Sequence, residues 1–148
     1  MQELSVILTG KSNIKENIIR EVLVMKLGIM QPYFFPYIGY WQLINMVDKY
    51  VIFDDVHYIK NGWINKNKIL MHGKETIIHL QIQKASQNKL INETNLVVDL
   101  KYTHKLLKTI KHCYTKSPYF NDVFPLLENI LNQKEENLAE YLKFLILK

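Results

Sequence analysis

Between residues 25 and 60 the apolar positions form two short continuous runs separated by an amphipathic stretch. Leu27 to Met30 and Tyr50 to Phe53 have the length and composition of strands, whereas Tyr40, Leu43, Ile44 and Val47 recur at i, i+3, i+4 and i+7 and predict a helix of roughly twelve residues ending near Met46. Strand, helix and strand over this distance predict a right-handed βαβ unit with parallel strands. The connection between the first strand and the helix, Gln31 to Tyr37, carries two prolines. Pro32 and Pro36 each fix one φ angle and push the preceding residue toward extended geometry, which predicts a loop held open. Gly39, just inside the helix, lets another group come close.

Further along, Ile69 to Met71 and Glu75 to Ile82 flank His72-Gly73-Lys74 and predict a hairpin around a glycine turn. Ala85 to Asn95 reads as a polar, lysine-bearing loop. Leu100 to Tyr114 predicts a helix with Thr103, Leu106, Leu107, Ile110, Cys113 and Tyr114 inward and Lys101, Lys105, Lys108 and His112 outward, a stripe best read as a solvated face. Ser117-Pro118 is expected to end this helix and begin the next, with Pro118 in its first position. The final segment, Glu135 to Lys148, is apolar at Leu138, Tyr141, Leu142 and Leu145 and again at Phe144, Ile146 and Leu147. A helix apolar all round needs covering, so a missing C-terminal part or another copy of the chain is expected to cover it. The fold class is α/β: a βαβ start with a parallel sheet, then a β-hairpin and C-terminal helices, in an incomplete domain.

Ahead of this unit, Ser5 to Thr9 reads as a strand and Ser12 to Leu23 as a helix with Ile14, Ile18, Ile19 and Val22 on its apolar side. Residues 1–24 are taken as an extension and residues 25–148 as the domain.

Composition narrows the functional classes. The chain has 148 residues, 48% hydrophobic and 22% charged, which suits one globular domain with a core. Its net charge of +5 comes from 19 basic and 14 acidic residues, and Arg20 is the sole arginine. A reader of DNA or RNA uses arginine for bidentate base contacts, so nucleic acid is not the expected partner. One cysteine, Cys113, permits no internal disulfide and fits a reducing compartment. His112 beside it would point about 100° away on a helix, so Cys113 reads as a packed apolar group. The early apolar stretch is too short to span a membrane, which places the chain in the cytoplasm. The five histidines, His57, His72, His79, His104 and His112, lack metal-binding spacing, so no metal site is expected.

The best constellation for chemistry gathers at the carboxyl ends of the two parallel strands, where α/β proteins place their ligands. Gln31 emerges there from the first strand, and Asp54 and Asp55 from the second. Successive residues at a strand end leave on opposite faces, so one of this pair can enter a cleft as a general base or bind a divalent ion beside a phosphate; the other reads as a strand-to-loop cap. Lys60, Asn61, Gly62, Trp63, Asn65, Lys66, Asn67 and Lys68 combine cations, amides and an aromatic, a set able to hold a diphosphate while Trp63 stacks on a base or sugar. By itself the set is better read as a surface loop with one anchoring tryptophan. Lys84, Ser86, Gln87, Asn88 and Lys89 form a second such loop.

The run MKLGIMQPYFFPYIGYWQLINMVDKYVIFDDVHYIKNGWINKNKIL, Met25 to Leu70, followed by KASQNKLINE at Lys84 to Glu93 and SPYF at Ser117 to Phe120, resembles the WbqC-like family, found among genes for bacterial O-antigen and other surface polysaccharides. The resemblance implies a transferase, of acyl or aminoacyl type, acting on a nucleotide-linked amino sugar, or else a non-catalytic nucleotide-sugar binder or assembly protein, or a truncated inactive member. It tilts the reading of the lysine-rich segments toward binding. Asp54 and Asp55 become the candidate catalytic groups, and Gln31, Tyr40, Lys60, Trp63, Asn65, Lys66, Lys84 and Lys89 the candidate ligand contacts; which cofactor, if any, serves the reaction is unknown from the sequence. Pro36 to Tyr40 is also similar to the phosphate-contacting HxGH loop of nucleotidyltransferases, with tyrosine in place of the second histidine, and Tyr40 would there offer one hydrogen bond.

Overall fold

Leu27–Met30 forms β1 and Lys49–Ile52 forms β2, and the two pair in parallel with Leu27 opposite Lys49 and Met30 opposite Ile52. The structure, a computed structural model, describes residues 25–148; the strand and helix expected before Val24 lie outside the described residues. Helix α1, Ile38–Met46, crosses between the strands. It is shorter than the expected twelve residues because Tyr37, in extended geometry at its cap, delays the first turn to Ile38. Alternation decides what each strand buries. Gly28 and Tyr50 face α1, and a Cβ at position 28 would press on Tyr50 and Val47. Leu27, Ile29, Val51 and Phe53 form an apolar outer face that stays open among the described residues.

Strands β3, Lys66–Met71, and β4, Lys74–His79, make the expected hairpin. His72 and Gly73 both take positive φ, 51° and 76°, the backbone that a two-residue turn needs to match strand twist. The pairing begins at Lys66, so the last three residues of the polar 60–68 segment belong to a strand and not to a loop. The second strand also stops at His79 rather than Ile82. Ile82–Gln83 is a separate strand, β5, paired antiparallel with β6, Asn95–Leu96. Between them, a 3₁₀ turn at Ile91–Glu93 closes the polar loop.

Helix α2, Leu100–Tyr114, has the predicted bounds, with Asp99 capping the N–H groups of Lys101 and Tyr102. It buries Leu106, Leu107 and Ile110. The next helix, α3, Phe120–Leu131, starts later than expected. Ser117, Pro118 and Tyr119 form a turn in which the Phe120 N–H reaches the Ser117 carbonyl at 3.3 Å, and the cap is Tyr119, so Pro118 lies ahead of the helix rather than in its first position.

Helix α4, Leu138–Ile146, corrects the expectation of an uncovered apolar helix. Leu138, Ala139, Tyr141, Leu142, Leu145 and Ile146 are all buried within the chain, and Leu147 alone of its large aliphatics stands out, 78% exposed. The 3₁₀ turn at Ile91–Glu93 packs on it, and Thr94 and Asn137 are joined to it at its start. A segment that looks apolar all round is here the centre of the core, so it needs no second copy to cover it.

The core also contains several tyrosines whose hydroxyls are shielded from water. Burial pushes Tyr40, Tyr50, Tyr58, Tyr102 and Tyr141 above the ordinary value of 10.0. An acid that holds its proton more tightly when folded favours the folded state only until the unfolded chain begins to ionise. Stability should therefore be intact below about pH 10 and fall as pH rises beyond it. Urea melts between about pH 8 and about pH 11 test this, and stability constant across that range would contradict it.

Candidate functional site

The loop that leaves β1 is fastened at four places. Phe34 is fully buried and its N–H donates to the Ile64 carbonyl at 3.0 Å. Tyr40 Oη donates to the Gln31 carbonyl at 3.2 Å, and Trp41 Nε1 to the Pro36 carbonyl at 3.2 Å. Asn67 Nδ2, reaching across from β3, donates to the carbonyls of both Phe34 and Phe35. These ties overrule one local rule: Phe35 precedes a proline yet adopts left-handed backbone, φ 49°, instead of extended geometry. Gly39 supplies room for the Tyr37 ring, which would overlap any Cβ at that position.

With Phe34 turned inward, Tyr33, Pro36 and Tyr37 are left to line a cavity of about 480 Å³ together with Met30, Trp63 and Asn67. Trp63 is placed there by its neighbours. The Gly62 N–H closes a turn onto the Ile59 carbonyl, and Ile64 and Asn65 beyond it are buried, so the indole between them stays 51% exposed. Aromatic faces around an open cavity suit the apolar face of a sugar or a nucleobase, while the Asn67 amide at the wall is spent on the Phe34 and Phe35 carbonyls.

The other sequence candidates fall into different surroundings. Gln31 and Asp54 do leave the same edge of the parallel sheet, and the Phe53 N–H still reaches the Met30 carbonyl at 2.8 Å. Asp54, however, pairs with Lys143 of α4 at 2.8 Å, and its side chain is 18% exposed. Lys143 is held above the ordinary lysine range by Asp54 first and by Glu140, also at 2.8 Å, second. Asp55 is exposed. Neither carboxylate lines the Trp63 cavity.

Tyr40 is buried with its hydroxyl committed to Gln31. Asn65 is buried as well, accepting from Tyr58 Oη at 2.9 Å and donating to the Leu80 carbonyl at 2.9 Å, so its amide ties strands together. Lys60 is exposed, while Lys66 is half-buried at the start of β3, opposite His79. Lys84 and Lys89 are exposed on the 84–93 segment, which docks beside the acidic pair: Tyr58, Ile91 and Asn92 N–H groups bond to the carbonyls of Lys89, Val56 and Asp54. Among the described residues no cluster of three or more His, Cys, Asp or Glu could hold a metal, and no helix is long and apolar enough to cross a membrane.

Three participants escaped sequence reasoning. Tyr33 and Tyr37 could have been inferred from alternation with the buried Phe34, but that burial is itself a tertiary fact. Lys143 carried only the i, i+3 signal of its pair with Glu140, which says nothing of Asp54.

A model of the WbqC-like protein family matches residues 31–148. An uncharacterized protein of Mycobacterium tuberculosis is 28% identical over 116 residues, 77% of this chain and 50% of the relative. The chain thus spans about half the length of the curated relative it matches. No solved structure matches it.

Proposed function

We propose, from the premise that the chain belongs to the WbqC-like protein family, that it binds a nucleotide-linked amino sugar in the Trp63 cavity and takes part in transferring an acyl or aminoacyl group to it during O-antigen or other surface-polysaccharide assembly. The observation that supports this most is the cavity itself, about 480 Å³ walled by Tyr33, Tyr37, Trp63 and Asn67, on a loop pinned by hydrogen bonds within the chain. A preformed aromatic wall costs little ordering on binding. Lys60 and Lys66, on either side of Trp63 in the chain, are candidates for the diphosphate. Gln31, Lys84 and Lys89 stay as further candidate contacts at the edge of the sheet. Of the two carboxylates, Asp55 is the better candidate base, because Asp54 is engaged by Lys143.

A second reading is favoured by the position of those carboxylates outside the cavity wall. In it the chain holds a nucleotide sugar without chemistry of its own, as a binding or assembly protein of the same pathway.

The test is calorimetric titration of a panel of nucleotide-linked amino sugars. Trp63→Ala should weaken binding by roughly 1 to 3 kcal/mol, the scale of one stacking contact. Its unliganded stability should shift by no more than about 0.5 kcal/mol, since the indole is half exposed. Asp55→Asn should keep binding and abolish transfer under the first reading, and change neither under the second. A panel with no binder, or a Trp63→Ala variant that binds as well as the parent, would remove the cavity from the function.

A further inference from the structure

The β3–β4 hairpin, α2 and α3 enclose a second cavity of about 370 Å³, and its chemistry is the reverse of a phosphate site. Ile69, Ile78 and Ile110 form one side, and Phe120, Phe124 and Leu127 form the other. These last three lie on one face of α3 over two turns, so the slot runs roughly 10 Å along the helix at the rise of an α-helix. Three of the polar side chains in its wall are already engaged, which leaves the Ser117 and Tyr119 hydroxyls at the end where α3 begins. Asn67 is bonded to the Phe34 and Phe35 carbonyls, Tyr114 Oη accepts the Leu70 N–H at 3.1 Å, and Lys68 is paired with Glu75 at 2.6 Å. A ligand's own polar groups would find few partners there and would lose their water, which excludes a sugar or phosphate and leaves an apolar group.

Backbone conformation adds to this: of the four non-glycine residues with left-handed backbone among the described residues, two line the slot. Phe35 and Tyr119 both line it, and both hold left-handed backbone, with φ of 49° and 61°, which L side chains other than Asn and Asp seldom adopt. Tyr119 caps α3 with no side-chain hydrogen bond and is 77% exposed, so neither capping nor core packing explains a bulky residue where glycine would be unstrained. Strained residues persist where the surrounding structure holds them, and they gather at ligand sites. The two come from the YFFPY and SPYF runs, distant in sequence, and the slot is where those runs meet.

We propose that this slot binds an alkyl chain, its length set by the roughly 10 Å run of the slot along α3. One pinned loop separates it from the Trp63 cavity: Tyr33, Pro36 and Tyr37 face that cavity, Phe35 faces the slot, and Asn67 lines both. The alkyl chain would therefore be the apolar end of a second substrate, brought beside the first. That role rests on the function proposed above; the binding of the chain does not.

Sodium octanoate, kept below its micelle concentration, is the probe. In the full chain labelled at isoleucine and methionine methyls, it should give saturable shifts at Ile69, Ile78 and Ile110 and leave the Met30 methyl, which lines the other cavity, unmoved. Val123→Trp, at a half-exposed position on the rim, should fill the slot and abolish those shifts. Tyr119→Gly, the second variant should the first not fold, should raise the melting temperature by relieving the backbone while weakening octanoate at least fivefold. The proposal is overturned by an absence of saturable isoleucine shifts, by shifts confined to Met30, or by octanoate binding that survives the variant that folds. A nucleotide sugar should do the opposite, shifting Met30 alone, so the two sites stand or fall separately.

Discussion

Leu142→Ala is expected to lower the free energy of unfolding by about 3 to 5 kcal/mol, the range for truncating a fully buried leucine whose surroundings cannot collapse into the gap. Leu142 has no exposure at all, and Leu138, Tyr141, Leu145 and Ile146 on the same helix are buried with it. Domains of this kind are stable by roughly 5 to 15 kcal/mol, so one methyl-rich side chain accounts for a large fraction of the total. Leu147→Ala, by contrast, should change stability by about 0.5 kcal/mol or less, because Leu147 is in water already. Urea denaturation of the two variants measures the difference. Repeating the melts over a range of protein concentrations separates two origins of the burial. A midpoint independent of concentration is expected, since the chain covers its own helix; one that rises with concentration would contradict this.

The second large effect is expected at Asn65. Its carboxamide accepts the Tyr58 hydroxyl and donates to the Leu80 carbonyl, and Asn65, Tyr58 and Leu80 are all buried. Asn65→Ala leaves a buried donor and a buried acceptor without partners, each costing about 1 to 3 kcal/mol, so the loss should total roughly 2 to 6 kcal/mol. Asn65→Asp should be at least as harmful, since it removes the amide donor and places a charge in the interior. Tyr58→Phe on the Asn65→Ala background should recover part of the loss by deleting the stranded hydroxyl, a coupling that a double-mutant cycle reads directly. Trp63, two residues away, should show the complementary behaviour, with little effect on stability and a large one on ligand binding. If Asn65→Ala folds as stably as the parent and loses only ligand affinity, the residue is a ligand contact and the structural role is wrong.

These two residues show where sequence reasoning reaches its limit. Asn65 and Trp63 sit in one polar, lysine-bearing segment, and composition treats them alike. What separates them is that Ile64 and Asn65 pass under the hairpin while Trp63 does not, and no local pattern encodes that. The same holds for Asp54 and Asp55. Alternation along the strand anticipates different environments for adjacent carboxylates, but only the packing of α4 puts Lys143 beside Asp54.

The sequence by itself determined the elements whose cause is local. Two apolar runs with a helical repeat between them specify a parallel β1–α1–β2 unit, a one-sided apolar face specifies α2 from Leu100 to Tyr114, and the glycine turn specifies the hairpin. Family membership was also legible, in runs where the residue order matters more than the composition. Only the tertiary structure decided that α4 is the centre of the core rather than an open face, that Phe34 turns inward and so leaves Tyr33 and Tyr37 at a cavity, and that Asn67 binds a loop more than thirty residues earlier in the chain. The physical reason is the range of the forces involved. Periodicity reports how a segment meets water along its own axis, whereas burial of an all-apolar helix, a left-handed Phe35 and an ion pair between Asp54 and Lys143 depend on groups far away in sequence that meet only once the chain has folded.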